Sequence, residues 1–117
     1  MLTQPERGQL YWLDWNPARG SEQAGTRPAL VVQTNVPNQI ERYPLTIVVA
    51  VTSVLKGYRS SVEVQPSSEN GLTTTSEILC NQIQTVDKSR LNALIGKLSD
   101  ADMHEVDTRL SYMLGLR

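Results

Sequence analysis

Hydrophobic residues occur in short runs up to residue 95, separated by polar segments rich in Gly, Pro, Ser and Asn. Such runs predict β-strands over residues 8–15, 28–34, 45–53, 61–65 and 77–86, with a brief edge strand at 94–95. The run at 45–53 is almost continuously apolar, which predicts a strand buried on both faces. Cys80 and Ile83 are candidate core residues three positions apart, and this spacing predicts a bulge or bend in the fifth strand.

A different pattern begins at Ser99, where apolar residues recur at helical spacing. They are Met103, Val106, Leu110, Met113 and Leu114. Ser99 and Asp102 resemble a capping box at the start of this helix, and Gly115 stands where a helix stop is expected. We expect a loop at 16–26, a polar connection at 35–44 and a short helical turn at 87–91. These elements together predict a mainly β sandwich or barrel with one C-terminal helix.

Composition is typical of one globular domain, which we expect to span residues 1–117. No apolar run approaches the roughly 20 residues of a membrane span, and residues 1–8 carry no apolar signal core, so we expect a cytoplasmic protein.

Cys80 is the only cysteine, which excludes an internal disulfide and predicts a small buried side chain. Residues 1–61 carry a net charge of +2 and the remainder −3, which permits a local anion site on a weakly acidic protein.

Several kinds of catalytic site are excluded by the residues present. His104 is the only histidine, and it falls off the apolar stripe of the helix, so we expect it on the surface and no histidine pair is possible. No cysteine–histidine cluster has zinc spacing, and no glycine-rich loop precedes a Lys and a helix. Paired carboxylates of the kind that metal nucleases use are also not apparent. We therefore predict neither a metal ion nor another cofactor.

The loop at 19–28 is the main candidate for chemistry. It ends in Arg27-Pro28, and proline favours an extended backbone at Arg27, so the guanidinium could be held rigidly at the head of the second strand. A planar guanidinium suits a phosphate. The alternative is an ion pair between Arg27 and Glu22 that fixes the loop. Thr52 ends the most buried strand and places a hydroxyl at the barrel rim, although simple core filling is the alternative.

The tryptophans give a further expectation about the first strand. Trp12 and Trp15 are three residues apart and should face opposite sides of the sheet. One is expected in the core, and the other at an interface or on a surface where RNA bases stack.

The sequence resembles the MazF/PemK endoribonuclease toxins over nearly its whole length. Four segments carry the resemblance: Gly8-Gln-Leu-Tyr-Trp-Leu-Asp-Trp-Asn-Pro, Gly20-Ser-Glu-Gln-Ala-Gly-Thr-Arg-Pro28, Val48-Val-Ala-Val-Thr-Ser53 and Asn81-Gln-Ile-Gln-Thr-Val-Asp-Lys88. The resemblance implies an SH3-like small barrel of the CcdB/PemK type with a C-terminal α-helix, usually a homodimer. It also implies metal-independent, sequence-specific cleavage of single-stranded RNA and a cognate antitoxin partner.

The resemblance further implies that Arg27 and Thr52 are the catalytic pair. The 2′-hydroxyl of the RNA would attack its own phosphate, with Glu22 as the only nearby carboxylate that could accept the proton. Other predicted RNA-binding residues are Asn16, Ser21, Gln23, Ser53, Lys56, Arg59 and Gln82. Asn81 replaces an acidic residue that some relatives have, which leaves the cleaved sequence open. Two alternatives from other classes are a CcdB-like toxin that poisons a topoisomerase by binding, and an SH3-like interaction module in which Arg27 is structural.

Overall fold

The computed structural model of the protein describes residues 4–116, and residues 1–3 and 117 lie outside this range. The strands are β1 (Gln9–Asp14), β2 (Thr26–Val31), β3 (Leu45–Thr52), β4 (Ser61–Val64), β5 (Ser76–Asp87) and β6 (Leu94–Lys97). The helices are α1 (Asn35–Gln39) and α2 (Asp100–Met113), and a short 3-10 helix (Lys88–Arg90) follows β5. The predicted mainly β fold with a C-terminal helix is confirmed.

The six strands form one antiparallel sheet in the order β4-β5-β3-β2-β1-β6. The central strand, β3, is buried on both faces, as predicted. Val49 and Val51 belong to the hydrophobic cluster that packs under α2, whereas Val48 and Ala50 belong to a second cluster on the opposite face. Successive side chains of β3 therefore point to opposite faces of the sheet and contribute to both hydrophobic clusters.

The two tryptophans of β1 and its continuation lie on opposite sides, as predicted. Trp15 is buried in the second cluster, whereas Trp12 is 41% exposed. Cys80 is fully buried in the first cluster, which confirms its expected place in the core.

A large bulge interrupts β5 where the spacing of its apolar residues predicts one. Val49 of β3 pairs with Ile83, but the next residue, Ala50, pairs with Leu79. Residues 80–82 are therefore extra on β5. The bulge turns Gln82 toward the loop between β1 and β2, where its side chain makes hydrogen bonds.

The loop between β4 and β5, residues 65–75, connects the two ends of the curled sheet. The backbone N–H of Lys97 in β6 donates to the carbonyl of Glu69 at 2.9 Å. A Cβ on Gly71 would lie 2.1 Å from the carbonyl oxygen of Ile95, and one on Gly96 would lie 2.4 Å from that of Asn70. Only glycine permits this approach of backbone to backbone, which closes the half-barrel without a seventh strand.

The C-terminal helix has the predicted ends. The Ser99 hydroxyl oxygen accepts the N–H of Asp102 at 3.1 Å, and Gly115 has a φ of +70° beyond the last turn. Met103 and Val106 are buried, but the last apolar residues of the predicted stripe, Met113 and Leu114, are exposed. Neither α-helix within residues 4–116 is long and apolar enough to cross a membrane.

The polar connection predicted at 35–44 contains a short helix, α1, which the sequence pattern does not predict. The reason is a buried polar network around Asn38. Its side-chain N–H donates to the carbonyl of Gln33 at 2.8 Å, and its amide oxygen accepts the Thr46 hydroxyl at 2.8 Å. These contacts to other elements stabilise a turn that local sequence pattern does not indicate.

Candidate active site

The cavity that contains Arg27 and Thr52, called here the Arg27 cavity, has a volume of about 350 Å³. Its walls come from the start of β2, the end of β3 and the loop between β4 and β5. Besides Arg27, its polar side chains are mostly hydroxyls, from Thr26, Thr52, Ser53, Thr73, Thr74 and Ser76. The predicted catalytic pair and the predicted RNA-binding residue Ser53 therefore line one cavity.

Arg27 lies within β2 rather than before it, because the strand begins at Thr26. Its side chain is exposed, and its Nη1 donates to the backbone carbonyl of Thr26 at 2.9 Å. Among residues 4–116, no carboxylate lies within the 4.0 Å ion-pair distance of Arg27, so the alternative of an Arg27–Glu22 ion pair is not observed. A charged guanidinium without a carboxylate partner can bind a phosphate through two parallel hydrogen bonds.

Thr52 ends β3 and is only 6% exposed. Its Oγ1 accepts the backbone N–H of Val54 at 3.1 Å, which orients the side chain. A hydroxyl that accepts one hydrogen bond still has its own proton to donate. Thr52 can therefore donate to an anion bound in the cavity.

One part of this cavity wall, the hydroxyl residues of the β4–β5 loop, is not predicted from the sequence. Thr73 and Thr74 belong to the run of hydroxyl residues 73–76 after Gly71, and the contact of Gly71 with β6 holds this run against the cavity. Trp12 also lines the cavity with its exposed ring, a position that suits base stacking. The hydroxyl run is visible in the sequence, but its place depends on a contact between distant segments.

A second cavity, called here the Gln82 cavity, has a volume of about 560 Å³ and contains the predicted residues Ser21, Glu22, Gln23 and Gln82. It shares no lining residue with the Arg27 cavity. Gln82 fixes its wall: its amide oxygen accepts the N–H of Gln23 at 2.5 Å, and its amide N–H donates to the carbonyl of Ser21 at 3.4 Å. The side chain of Gln23 in turn donates to the carbonyl of Val51 at 2.7 Å.

Glu22 is exposed and lies in the Gln82 cavity, so the structure does not bring it together with Arg27 and Thr52. Its Oε1 accepts the backbone N–H of Arg19 at 2.7 Å, and its own N–H donates to the carbonyl of Arg19. In this arrangement the carboxylate stabilises a tight turn of the loop.

Asn16, Lys56 and Arg59 line neither of these cavities. The Asn16 side-chain oxygen accepts the N–H of Gly25 at 3.2 Å and so closes the base of the β1–β2 loop. Lys56 is exposed in the loop after β3. The Arg59 guanidinium lies 4.9 Å from the centre of the Tyr112 ring of α2.

The remaining reactive side chains are placed outside these cavities. Burial raises the pKa of the Cys80 thiol to about 12, so the thiol is protonated at neutral pH and is a poor nucleophile. His104 is exposed on α2, as predicted. Within the part of the chain that the structure describes, no group of three or more His, Cys, Asp or Glu residues could hold a metal ion.

Known proteins resemble this chain in sequence and in fold. Residues 6–114 match the family model of the PemK-like, MazF-like toxins of type II toxin–antitoxin systems. The chain is 38% identical to endoribonuclease EndoA of Bacillus subtilis (strain 168) over 112 residues, 95% of each protein. It is also similar to the crystal structure of MazF from Deinococcus radiodurans, with a TM-score of 0.81, 30% identity and coverage of 97% of this chain and 99% of that one.

A second similar structure is an endoribonuclease in complex with its cognate antitoxin from Mycobacterial species. Its TM-score is 0.80, its identity is 27%, and the match covers 97% of each chain. The sequence relationship and the fold thus extend over almost the whole molecule. The chain belongs to the family of PemK-like, MazF-like toxins of type II toxin–antitoxin systems.

Proposed function

We propose that this protein cuts single-stranded RNA at a short recognised sequence in the Arg27 cavity, without a metal ion. The observation that carries the proposal is the exposed Arg27, which lines one cavity together with hydroxyl side chains and has no carboxylate partner within residues 4–116. The class of enzyme follows from the family: the chain is a MazF/PemK endoribonuclease toxin, as its sequence predicts.

The proposed reaction takes its nucleophile from the substrate. The 2′-hydroxyl oxygen attacks the adjacent phosphorus and loses its proton, the bond from phosphorus to the 5′ oxygen breaks, and that oxygen gains a proton. The products are a 2′,3′-cyclic phosphate and a 5′-hydroxyl end. The protein then needs only to orient the phosphate, neutralise growing charge and move protons.

Arg27 and Thr52 suit two of these tasks. Arg27 binds two non-bridging oxygens of the scissile phosphate and stabilises the negative charge that grows there. Thr52 donates its hydroxyl proton to a phosphoryl oxygen, since the N–H of Val54 already occupies one acceptor position of the hydroxyl. An Arg is a poor proton carrier because a guanidinium is not deprotonated in proteins.

Glu22 is the proton acceptor predicted from the sequence, but the cavity geometry gives this role no support. Its carboxylate would reach the 2′-hydroxyl of RNA in the Arg27 cavity only if the β1–β2 loop moved, because it now lines the Gln82 cavity. The kcat/KM and the pH–rate profile of Glu22→Gln test whether Glu22 is the base.

We assign base recognition to the Gln82 cavity. Side-chain amides both donate and accept hydrogen bonds, which suits the edges of unpaired bases. Gln23, Asn81, Gln82 and Gln84 all line this cavity. Ser21 adds a hydroxyl, and Lys56 and Arg59 would contact the RNA backbone outside the cavities.

We also propose a cognate antitoxin and a second copy of the chain as partners, in the cytoplasm. The antitoxin complex of the mycobacterial relative supports the first partner. The exposed apolar side chain of Leu94 on β6, at one end of the strand order, is compatible with the second. Light scattering of the purified protein tests the dimer.

One assay separates this function from a topoisomerase poison and from an interaction module. Purified protein is incubated with a long single-stranded RNA in EDTA, and the ends are mapped. We expect discrete cuts with 5′-hydroxyl ends. RNA that stays intact across varied sequences would contradict the proposal, and inhibition of a purified topoisomerase would favour the poison.

A further inference from the structure

Glu77 is a buried carboxylate that the proposed reaction does not use. It lies near the start of β5, is 4% exposed and pairs with Thr52 in the register of β3 and β5. Partners in antiparallel strands project their side chains to the same face. Because burial of a carboxylate is costly unless it is hydrogen-bonded, its contacts indicate what it does.

Both oxygens of Glu77 hold the loop between β3 and β4, residues 53–60. Oε1 accepts the backbone N–H of Lys56 at 2.8 Å, and Oε2 accepts that of Gly57 at 2.9 Å. Gly57 has a φ of +68°, and a Cβ there would meet no atom within 4 Å. Glycine is therefore required for the backbone conformation rather than for space, and a left-handed residue lets successive N–H groups converge on one anion.

The same loop is held at a second point by α2. The carbonyl of Arg59 accepts a hydrogen bond from Nη1 of Arg109 at 2.9 Å, and the Arg59 guanidinium stacks on Tyr112. Unlike the side chain of Arg59, that of Lys56 is not held by a described partner. It is exposed and has no carboxylate within 4.0 Å among residues 4–116. Ser53, at the start of the loop, lines the Arg27 cavity. The loop therefore leads from the cavity wall at Ser53 to the exposed Lys56 cation.

We infer that Glu77 is a positioning residue that fixes residues 53–60 and so sets where Lys56 meets the backbone of bound RNA. This inference rests on the proposed function. Glu77 touches no reacting atom; it acts on substrate binding through the backbone of Lys56 and Gly57. Its effect should therefore fall on KM and on salt dependence rather than on kcat.

The direct test is Glu77→Gln. The new amide accepts one backbone N–H, but its NH₂ group faces the other, so the loop must shift. We expect KM for a cleaved RNA oligonucleotide to rise about threefold to tenfold, the effect of losing one exposed charged contact, with kcat within about twofold. The slope of log KM against log salt should fall by about 0.7, the value for one phosphate contact on a single strand.

Asp87→Asn is the matched control. It removes the same charge from a carboxylate that also accepts a backbone N–H, that of Ser89 at 2.9 Å, outside both the Arg27 and Gln82 cavities. We expect wild-type KM and salt slope for this variant. Equal rises in KM for both variants would show an effect of net charge alone and would overturn the inference.

A double-mutant cycle tests whether Glu77 affects KM through Lys56. Lys56→Gln should raise KM as Glu77→Gln does, and the double variant should be no worse than either single one, because both remove the same contact. Additive effects, a fall in kcat alone or an unchanged salt slope would overturn the inference.

If Glu77→Gln does not fold, Gly57→Ala keeps the carboxylate and strains only the loop, and the same rise in KM is expected. A wild-type KM for Gly57→Ala would then count against the inference. Failure of the proposed function is distinguishable: wild-type protein would leave RNA intact. If wild-type protein cuts RNA and Glu77→Gln behaves identically, only the role of Glu77 fails.

Discussion

The Arg27 cavity and the Gln82 cavity are lined by different parts of the same segment, residues 15–28, yet they differ in chemistry. The first combines one guanidinium with hydroxyls and has neither a carboxylate nor an amide side chain in its lining. The second has four amide side chains and one carboxylate. A guanidinium with hydroxyls suits a phosphate, whereas amides suit base edges. The comparison indicates that the chemical step and the choice of sequence are separated in space.

The largest effect is expected for Arg27→Ala. Among residues 4–116, Arg27 is the only cation that lines this cavity, and its removal should lower kcat by about 10²- to 10³-fold, as for loss of a main transition-state contact. The fold should persist, because the side chain is exposed and makes one hydrogen bond to its neighbour. Single-turnover cleavage measures the loss of rate, and the melting temperature measures whether the fold persists. Arg19→Ala, in the same loop but lining neither cavity, is the control and should cleave normally.

Thr52→Val should have the next largest effect, because it keeps the shape and removes the hydroxyl. Loss of a hydrogen bond to a charged phosphate lowers kcat by about 10- to 100-fold. Thr52→Ser should restore most of the rate. A wild-type rate for Thr52→Val together with a loss for Thr52→Ser would indicate that the β-branched shape matters and that Thr52 fills the core.

Gln82→Ala should alter recognition more than chemistry. It removes the two hydrogen bonds that hold Gln23 and Ser21, so kcat/KM should fall about tenfold and the cleaved sequence should change or relax. Sequencing of the cut ends in a complex RNA pool measures this. If the cut sites stay the same while kcat collapses, the division between the two cavities is wrong.

Glu22→Gln should have the smallest effect if the separation holds. We expect less than a tenfold loss in kcat/KM, about the cost of a weakened turn contact. The pH–rate profile should keep its shape. A loss of a hundredfold or more, together with loss of the acidic limb, would make Glu22 the base and would require the loop to move toward Arg27.

The sequence predicts those features that depend on local pattern. The burial of β3 on both faces follows from its apolar run, and the bulge in β5 follows from the spacing of Cys80 and Ile83. The helix α1 is not predicted because Asn38 is stabilised by partners in other elements. The sequence leaves Arg27 and Thr52 equally open to structural roles, and the resemblance to a family is what favours catalysis.

The separation of the two cavities also depends on contacts that sequence spacing does not reveal. Gln82 meets Gln23 across 59 positions, and this contact holds Glu22 in the Gln82 cavity. The hydroxyls of Thr73 and Thr74 reach the Arg27 cavity because Gly71 packs on the backbone of β6. Long-range backbone contacts of this kind have no local signature.

The central claim is that the RNA supplies the nucleophile and the Arg27 cavity supplies the charge. The most direct measurement uses a short RNA that contains one mapped cut site and a twin with a single 2′-deoxynucleotide immediately 5′ of the scissile phosphate. We expect the first RNA to be cut in EDTA to a 2′,3′-cyclic phosphate and a 5′-hydroxyl, while the twin binds equally and stays intact. Cleavage of the twin at the same phosphate would contradict it.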